Sequence, residues 1–311
     1  GRSVSTRWQF YCRCAARKMN TINVRRSALW MVGAVVAFSL TAISGREATQ
    51  QLSYSALTVS QLVFFRSIIG LLLISTLIVL RYGNKAREIV STQRLKLHFG
   101  RNFSHFCGQW CWFYGLALLP IANVFAIEFT VPIWTAVFAS LILSEALTVK
   151  RLVSITLGFF GVLIILRPGF VDIEFASWVV LAGAVAYALS HTLTKRLSGF
   201  DGALTILFYM QVMQLPLGFF LVVFDFAWPQ GITWMWVALT AVAGLSAHFC
   251  MAKALSMADA MIVMPMDFLR LPLIAVVGYF LYQESIDIFL LCGAAVMLLG
   301  NMLSLGEKSR P

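Results

Sequence analysis

Residues 98–144 decide the fold of this chain. They read HFGRNFSHFCGQWCWFYGLALLPIANVFAIEFTVPIWTAVFASLILS. The stretch contains two apolar segments, 98–119 and 121–144, and each has about the 20 residues that an α-helix needs to cross a bilayer. The break between them, at Leu119-Pro120, is so short that the two helices must be antiparallel neighbours. The stretch therefore predicts two consecutive membrane-spanning helices.

The composition of the whole chain agrees with this interpretation. Of its 311 residues, 60% are hydrophobic and 12% are charged, and the mean hydropathy is +0.83. An ordinary soluble domain has about 25% charged and 45–50% apolar residues. We therefore expect lipid, the bilayer itself, to be the main partner of the surface. The net charge of +11 does not indicate nucleic acid, because the basic residues lie in loops between apolar segments rather than on one face.

The same pattern recurs along the chain and predicts an all-α integral membrane protein with ten transmembrane helices. The predicted spans are residues 28–44, 58–80, 98–119, 121–144, 149–166, 176–194, 203–224, 232–256, 258–282 and 285–304.

The distribution of Lys and Arg predicts the orientation, because cytoplasmic loops carry the excess of these residues. With the N-terminus inside, 18 of the 24 Lys and Arg residues fall in inside segments, and the outside loops hold only Arg46 and Arg167. We expect a multi-pass protein of a bacterial-type inner (plasma) membrane with both termini in the cytoplasm.

The two halves of the chain resemble each other at an offset of about 139 residues. Glu128 then aligns with Asp267, and Glu145 with Glu284. Nearer the N-terminus the offset drifts, and His105-Phe106-Cys107 echoes His248-Phe249-Cys250. Because a unit of five spans is odd, its two copies must have opposite orientations, and inverted repeats are typical of alternating-access carriers. We predict repeats over 27–169 and 170–305, with basic or polar cytoplasmic tails over 1–26 and 306–311.

Three stretches carry a resemblance to a known family. They are QLVFFR at residues 61–66, CWFYGLALLPIA at residues 111–122, and Pro132 followed by Glu145, the last two being echoed by ALSMADA at residues 254–260 and by Pro272 followed by Glu284. The chain resembles the EamA-type proteins of the drug/metabolite transporter superfamily. The resemblance implies two five-helix repeats and transport of a metabolite, since the family is similar to amino-acid exporters and to carriers of riboflavin and S-adenosylmethionine.

Two acidic residues lie clearly within predicted spans, and ionisable groups at that depth usually face a cavity or a partner. Asp267 and Arg270 are three residues apart on one helix, so they are expected to pair, either structurally or as a pair that opens to bind a substrate or a proton. Glu128 has no basic neighbour within a helical turn. It either pairs with a cation of another helix, such as Arg66, or is held protonated by its apolar surroundings and is then suited to proton coupling.

Other residues of the spans are candidates for binding or movement. Arg66 is too deep to reach the surface and is expected at the central cavity or a helix end, whereas Arg101 and Lys253 are expected to reach the cytoplasmic surface. Pro132 and Pro272, like Pro216 and Pro265, fall inside predicted helices and are either hinges or static kinks. An aromatic pocket is predicted from Gln109, Trp110, Trp112, Tyr114 and Trp134, with an aromatic belt or ordinary packing as the alternative.

These features favour a secondary carrier for a small organic solute such as an amino acid, a flavin or a nucleoside-like compound. No glycine-rich stretch ends in Gly-Lys-Ser/Thr, and no two histidines flank an acid at zinc-hydrolase spacing. We therefore expect no ATP hydrolysis, no cofactor, no metal and no enzymatic activity. The alternative is a membrane-embedded enzyme with a polar site at the midplane. A homodimer is among the assemblies that the sequence leaves open.

Overall fold

The computed structural model describes residues 3–49, 56–143, 149–167, 174–258, 263–284 and 287–305. Within these ranges the regular structure is entirely helical, with no strand. The α-helices are α1 (Ser3–Thr49), α2 (Val59–Tyr82), α3 (Ala86–Ile89), α4 (Leu95–Leu118), α5 (Ile121–Glu128), α6 (Val131–Leu143), α7 (Val149–Leu166), α8 (Phe175–Leu197), α9 (Ala203–Val222), α10 (Thr233–Met257), α11 (Arg270–Tyr282) and α12 (Ile288–Leu305). Two short 3-10 helices cover Gly83–Lys85 and Met264–Leu269.

The helices coincide with the ten predicted spans. In the part of the chain that the structure describes, six helical segments are both long and apolar enough to cross a membrane, and they correspond to α1, α2, α5 with α6, α8, α9 and α10. The other four spans are α4, which is polar on its buried face, the shorter α7 and α12, and the 3-10 turn with α11. The prediction of an all-α membrane protein with ten spans is confirmed.

Helix packing follows the predicted repeat. If α1 corresponds to α8 and α4 to α10, the interface between α1 and α10 is equivalent to the interface between α4 and α8, and both are extensive. The helices α2 and α9 pack on each other, as do α7 and α12, so each of these helices meets its own counterpart. This pairing is what an approximate two-fold axis between two five-helix repeats produces. The predicted boundary at residues 169 and 170 lies outside the described residues.

The contact between α7 and α12 depends on two glycines. A Cβ atom added to Gly161 would lie 2.8 Å from the carbonyl oxygen of Gly293, and a Cβ atom on Gly293 would lie 2.6 Å from the carbonyl oxygen of Gly161. At these distances a side chain at either position would clash with the backbone of the facing helix. The helices therefore touch backbone to backbone, as small residues allow in membranes.

The fourth span of each repeat is broken, and the breaks correct one prediction. Helix α5 ends at Glu128 and α6 begins at Val131, while the 3-10 turn Met264–Leu269 gives way to α11 at Arg270. Pro132 and Pro272 were expected to kink helix interiors. This is wrong, because each lies in the first turn of the helix after the break, where a missing N–H costs no hydrogen bond. Pro216 does lie inside a helix, α9.

The N-terminal segment is helical where the structure describes it. Residues 1–26 were predicted to form a basic cytoplasmic tail, and their cytoplasmic location stays a prediction. In the structure, α1 begins at Ser3 and continues without interruption to Thr49. The described part of the basic segment is thus an extension of the first membrane helix.

Candidate functional site

A small cavity lies at the centre of the protein between the two repeats. Its volume is about 20 Å³, which is room for water and far below the roughly 300–1,000 Å³ of ligand pockets. A larger solute can therefore enter only if the surrounding helices separate. The cavity is lined from both repeats by Phe38, Thr41, Arg66, Trp112, Glu128, Tyr187, His191, His248, Met251 and Arg270.

An ion cluster lines this cavity. The Arg270 guanidinium is bound by two carboxylates: its Nη2 donates to Glu128 Oε1 at 2.9 Å and also to Asp267 Oδ2. Glu128 Oε2 accepts a second hydrogen bond from Trp112 Nε1 at 2.8 Å. The breaks in the fourth spans bring these groups together, since Glu128 is the last residue of α5 and Arg270 the first of α11.

The cluster is almost entirely removed from solvent, with exposed fractions of 8% for Glu128, 7% for Asp267 and 3% for Arg270. Ionised groups at such depth are tolerated only when paired and hydrogen-bonded. The rings of Phe38 and Phe125 lie 4.9 and 5.2 Å from the Arg270 guanidinium carbon, so aromatic faces add to the stabilisation of the cation.

The cation that pairs with Glu128 is therefore not the one expected. The sequence suggested Arg66 or, failing a partner, a protonated carboxyl, whereas the structure places Arg270 of the opposite repeat against Glu128. The expected pair of Asp267 and Arg270 does form. Residue spacing along one helix could indicate the local pair, but the cross-repeat bond depends on how α5 and α11 pack.

Arg66 lies at the same cavity without an acidic partner. Only 4% of this residue is exposed, and its guanidinium carbon is 5.5 Å from the centre of the Phe113 ring. Among the described residues, no carboxylate lies within 4.0 Å of it, and no hydrogen bond joins its side chain to another residue. Arg66 is thus a buried, uncompensated positive charge at the cavity.

Three histidines line or adjoin the cavity, and reasoning from the sequence assigned none of them a role. His105 and His248 approach each other to 3.0 Å through their Nε2 atoms, and His105 Nδ1 lies 2.6 Å from Gln214 Nε2. His191 stacks on Tyr187 with an angle of 10° between the rings. The echo of His105-Phe-Cys in His248-Phe-Cys was the signal available, since equivalent positions of two repeats can meet near a two-fold axis.

The predicted aromatic pocket does not form as one site. Of its five members only Trp112 lines the central cavity. Trp110 stacks on Tyr114 with ring centres 5.3 Å apart and donates to Ser60 Oγ. Gln109 is buried, and neither atom of its amide group has a hydrogen-bond partner within the described ranges. Trp134 is half-buried, and its Nε1 likewise lacks a partner there.

Polar contacts join the helices at the end of the bundle where α4 begins and α10 ends. His98 Nε2 lies 2.8 Å from Asp201 Oδ2, and Arg101 Nε donates to Thr194 Oγ1 at 3.0 Å. Lys195 Nζ donates to the carbonyl oxygen of Leu255 at 3.1 Å, which ties α8 to the end of α10. Arg101 was expected to extend to the surface, but it is 2% exposed, and its Nε and Nη1 are hydrogen-bonded inside the protein.

A second group of polar contacts joins the helices where α1 ends and α5 begins. Glu284 accepts hydrogen bonds from Arg46 Nη1 of α1 and from the backbone N–H of Ile121, the first residue of α5. Tyr282 donates its hydroxyl to Glu47 Oε1 at 2.8 Å. Glu284 therefore joins three helices at one point. Its predicted repeat equivalent, Glu145, lies outside the described residues.

The two-repeat architecture with a central cavity agrees with the comparison to protein families. The EamA-like transporter family matches the chain twice, over residues 25–167 and 175–306. The chain belongs to the EamA-like transporter family. The resemblance to EamA-type proteins is thus confirmed, and the family is one of transporters rather than enzymes.

Individual relatives cover most of the chain. It is 29% identical to a riboflavin transporter of Vibrio cholerae serotype O1, over 88% of this chain and 91% of the relative. It is 30% identical to a riboflavin transporter of Rhizobium johnstonii, over 91% of this chain and 92% of the relative. It is 26% identical to an S-adenosylmethionine uptake transporter of Rickettsia prowazekii, over 76% of this chain and 80% of the relative.

The fold also agrees with an experimental structure. A solved crystal structure superposes with a TM-score of 0.66 over 89% of this chain and 95% of the other, at 16% sequence identity. At that identity the likeness concerns the fold alone.

Proposed function

We propose that this protein is a secondary carrier that moves a small heterocyclic metabolite across the membrane by alternating access. The observation that carries the proposal is the central cavity, which is lined by charged and aromatic side chains of both repeats and is too small to admit a larger solute unless the helices move. A site at the interface of two inverted repeats is what alternating access requires, since small movements of one repeat against the other open it to each side in turn. Relatives that carry riboflavin or S-adenosylmethionine support this solute class.

The breaks in the fourth spans are the proposed points of movement. The two residues between α5 and α6, and the junction of Leu269 with Arg270 where the 3-10 turn meets α11, are element ends that can absorb changes in backbone angles. Pro132 and Pro272 follow these breaks directly. In this proposal they mark where each mobile segment starts.

Energy for uphill transport is proposed to come from protons at the ion cluster. Glu128 and Asp267 share the single guanidinium of Arg270, so the cluster has one carboxylate more than it has cations. A proton bound to either carboxylate balances the excess charge in one state of the transport cycle and leaves in the other. Glu128 is the acid that lines the cavity, and we propose it as the entry point for the proton.

The test is uptake into liposomes that contain the purified protein. Riboflavin and S-adenosylmethionine, each with a radioactive label, are offered separately with and without a pH gradient across the membrane. Saturable uptake of either solute by protein-containing liposomes, accelerated by a gradient of one sign, is the expected result. Equal entry into empty liposomes, or uptake that no gradient changes and no unlabelled solute competes with, would contradict a carrier of this class.

A further inference from the structure

The charges at the central cavity are separated into two unbalanced groups. In the first group, Arg270 is shared by Glu128 and Asp267, which leaves an excess negative charge. The second is Arg66, which is 4% exposed and has no carboxylate within 4.0 Å in the described part of the chain. Glu128, Arg270 and Arg66 all line the same small cavity. The site therefore holds one unpaired negative charge and one unpaired positive charge.

Burial makes this separation costly, because an isolated charge in an apolar membrane interior is much less stable than one that is paired. A neutral solute in the cavity would leave both charges uncompensated. A solute with one positive and one negative group pairs with both the carboxylate cluster and Arg66 at once. We propose that the cavity binds a zwitterionic metabolite, whose carboxylate is held by Arg66 and whose ammonium group is held by Glu128, and this inference rests on the proposed carrier function.

The position of Arg66 supports a role in binding rather than in folding. Its side chain crosses from α2 to α10, where a Cβ atom added to Gly244 would lie 2.6 Å from Arg66 Nη2. The absence of a side chain at Gly244 thus gives the guanidinium the space it occupies beside the cavity. A guanidinium is suited to this task, since its parallel N–H groups bind a carboxylate through two hydrogen bonds.

Arg101 shows what a structurally engaged arginine looks like in the same protein. It is equally buried, but its Nε donates to Thr194 Oγ1 at 3.0 Å and its Nη1 donates to Asn102 Oδ1 at 2.7 Å. It does not line the central cavity. The contrast makes Arg101 the matched control for the loss of a buried guanidinium.

The proposal divides the solutes of the relatives by their charge. S-adenosylmethionine ends in an α-amino acid, which carries an ammonium and a carboxylate at neutral pH, whereas riboflavin has no charged group. Aromatic rings at the cavity, such as those of Trp112 and Tyr187, suit the heterocycle of either solute. The charge pattern favours a solute with an amino acid group attached to the heterocycle.

The experiment measures binding of matched probes to the purified full chain by titration calorimetry. S-adenosylhomocysteine has the zwitterionic arm without the sulfonium charge, its N-acetyl derivative lacks only the ammonium, and methylthioadenosine lacks the whole arm. We expect the wild type to bind S-adenosylhomocysteine at least about tenfold more tightly than methylthioadenosine or riboflavin, as a charge-assisted hydrogen bond provides.

Variants test the two proposed contacts of the solute separately. Arg66→Gln should weaken binding of S-adenosylhomocysteine by about 10- to 100-fold and change that of methylthioadenosine by less than about threefold. Glu128→Gln should weaken binding of S-adenosylhomocysteine but not of its N-acetyl derivative. Arg101→Gln should change the affinity for every probe by the same factor. Arg66→Lys keeps the charge and should give an intermediate loss, so it tests the same point if Arg66→Gln does not fold.

The outcomes separate this inference from the carrier proposal. Equal losses for S-adenosylhomocysteine and methylthioadenosine in Arg66→Gln, or riboflavin binding as tightly as S-adenosylhomocysteine in the wild type, would overturn the zwitterionic site while leaving a carrier in place. If liposomes that contain the wild-type protein take up none of the probes, this result would count against the carrier function, and against the zwitterionic site with it.

Discussion

His105 of the first repeat and His248 of the second are directly hydrogen-bonded, with their Nε2 atoms 3.0 Å apart. Only one proton can lie between two such nitrogens, so one imidazole donates and the other accepts. The amide of Gln214 is next to the other nitrogen of His105, at 2.6 Å. Three side chains from α4, α9 and α10 thus form one connected chain of hydrogen bonds, and its end at His248 lines the cavity.

We predict that the two histidines stabilise the protein as a unit. His105→Phe leaves His248 and Gln214 buried without a partner, which typically costs about 1–3 kcal/mol of the free energy of unfolding. Replacing both histidines by phenylalanine removes both polar partners of that bond and should cost less than the sum of the single changes. The measurement is a double-mutant cycle on the purified protein, with an expected coupling energy of about 0.5–3 kcal/mol.

A pair at the surface of the bundle provides the control for this cycle. Arg167 forms an ion pair with Asp287, and their side chains are 32% and 40% exposed. An exposed pair of this kind is worth about 0–1 kcal/mol. Its cycle should give a smaller coupling energy. Strict additivity of His105→Phe and His248→Phe would show that the hydrogen bond between them contributes nothing to stability.

The backbone contact between α7 and α12 gives a prediction about packing. Gly161→Ala and Gly293→Ala each place a methyl group less than 3 Å from the carbonyl oxygen of the facing glycine, and overpacking of this kind costs about 1–3 kcal/mol. We expect each variant to lower the melting temperature by several degrees. Gly100→Ala is the matched control, because its new methyl group meets only Leu193 Cδ1 at 3.9 Å. A melting temperature as high in Gly161→Ala as in Gly100→Ala would contradict the close helix contact.

The accuracy of the sequence-based predictions differs between the fold and the site. Apolar segment length was enough to predict the ten spans, because the bilayer imposes its thickness on each helix. The pair of Asp267 and Arg270 followed from helical spacing. The bond from Arg270 to Glu128, 142 residues away, and the meeting of His105 with His248 did not, because they depend on how the two repeats dock. The helix breaks before Pro132 and Pro272 were not predicted, because a proline is compatible both with a kink inside a helix and with the start of a helix.

Topology is the next prediction. The excess of Lys and Arg in alternate loops predicts that both termini lie in the cytoplasm. A reporter domain fused after Pro311 should therefore be inaccessible to a membrane-impermeant reagent added to intact cells, and become accessible when the membrane is opened. A cysteine introduced in place of Arg167, in a loop predicted to face outward, is the positive control. Labelling of the C-terminal reporter in intact cells would contradict both the even number of spans and the inverted arrangement of the repeats.

The last prediction concerns the two carboxylates that share Arg270. Glu128→Gln removes the excess negative charge of the cluster, so a proton has no site to occupy and pH-driven accumulation of solute should be lost. Exchange of labelled for unlabelled solute at saturating concentration should persist, because it needs no proton. Asp267→Asn removes the same excess and should behave alike, since Glu128 still pairs with Arg270 through the bond of 2.9 Å. Both measurements are made in proteoliposomes with and without a pH gradient.

The double variant distinguishes coupling from folding. Each single change leaves one carboxylate on Arg270, so both single variants should keep a melting temperature close to that of the wild type. Glu128→Gln combined with Asp267→Asn leaves the guanidinium buried without any acid, and breaking a buried ion pair in this way typically costs about 3–5 kcal/mol. The double variant should therefore be the one that loses folded protein. If Glu128→Gln instead keeps full gradient-driven accumulation, the proton binds elsewhere, and the ion cluster is not the coupling site.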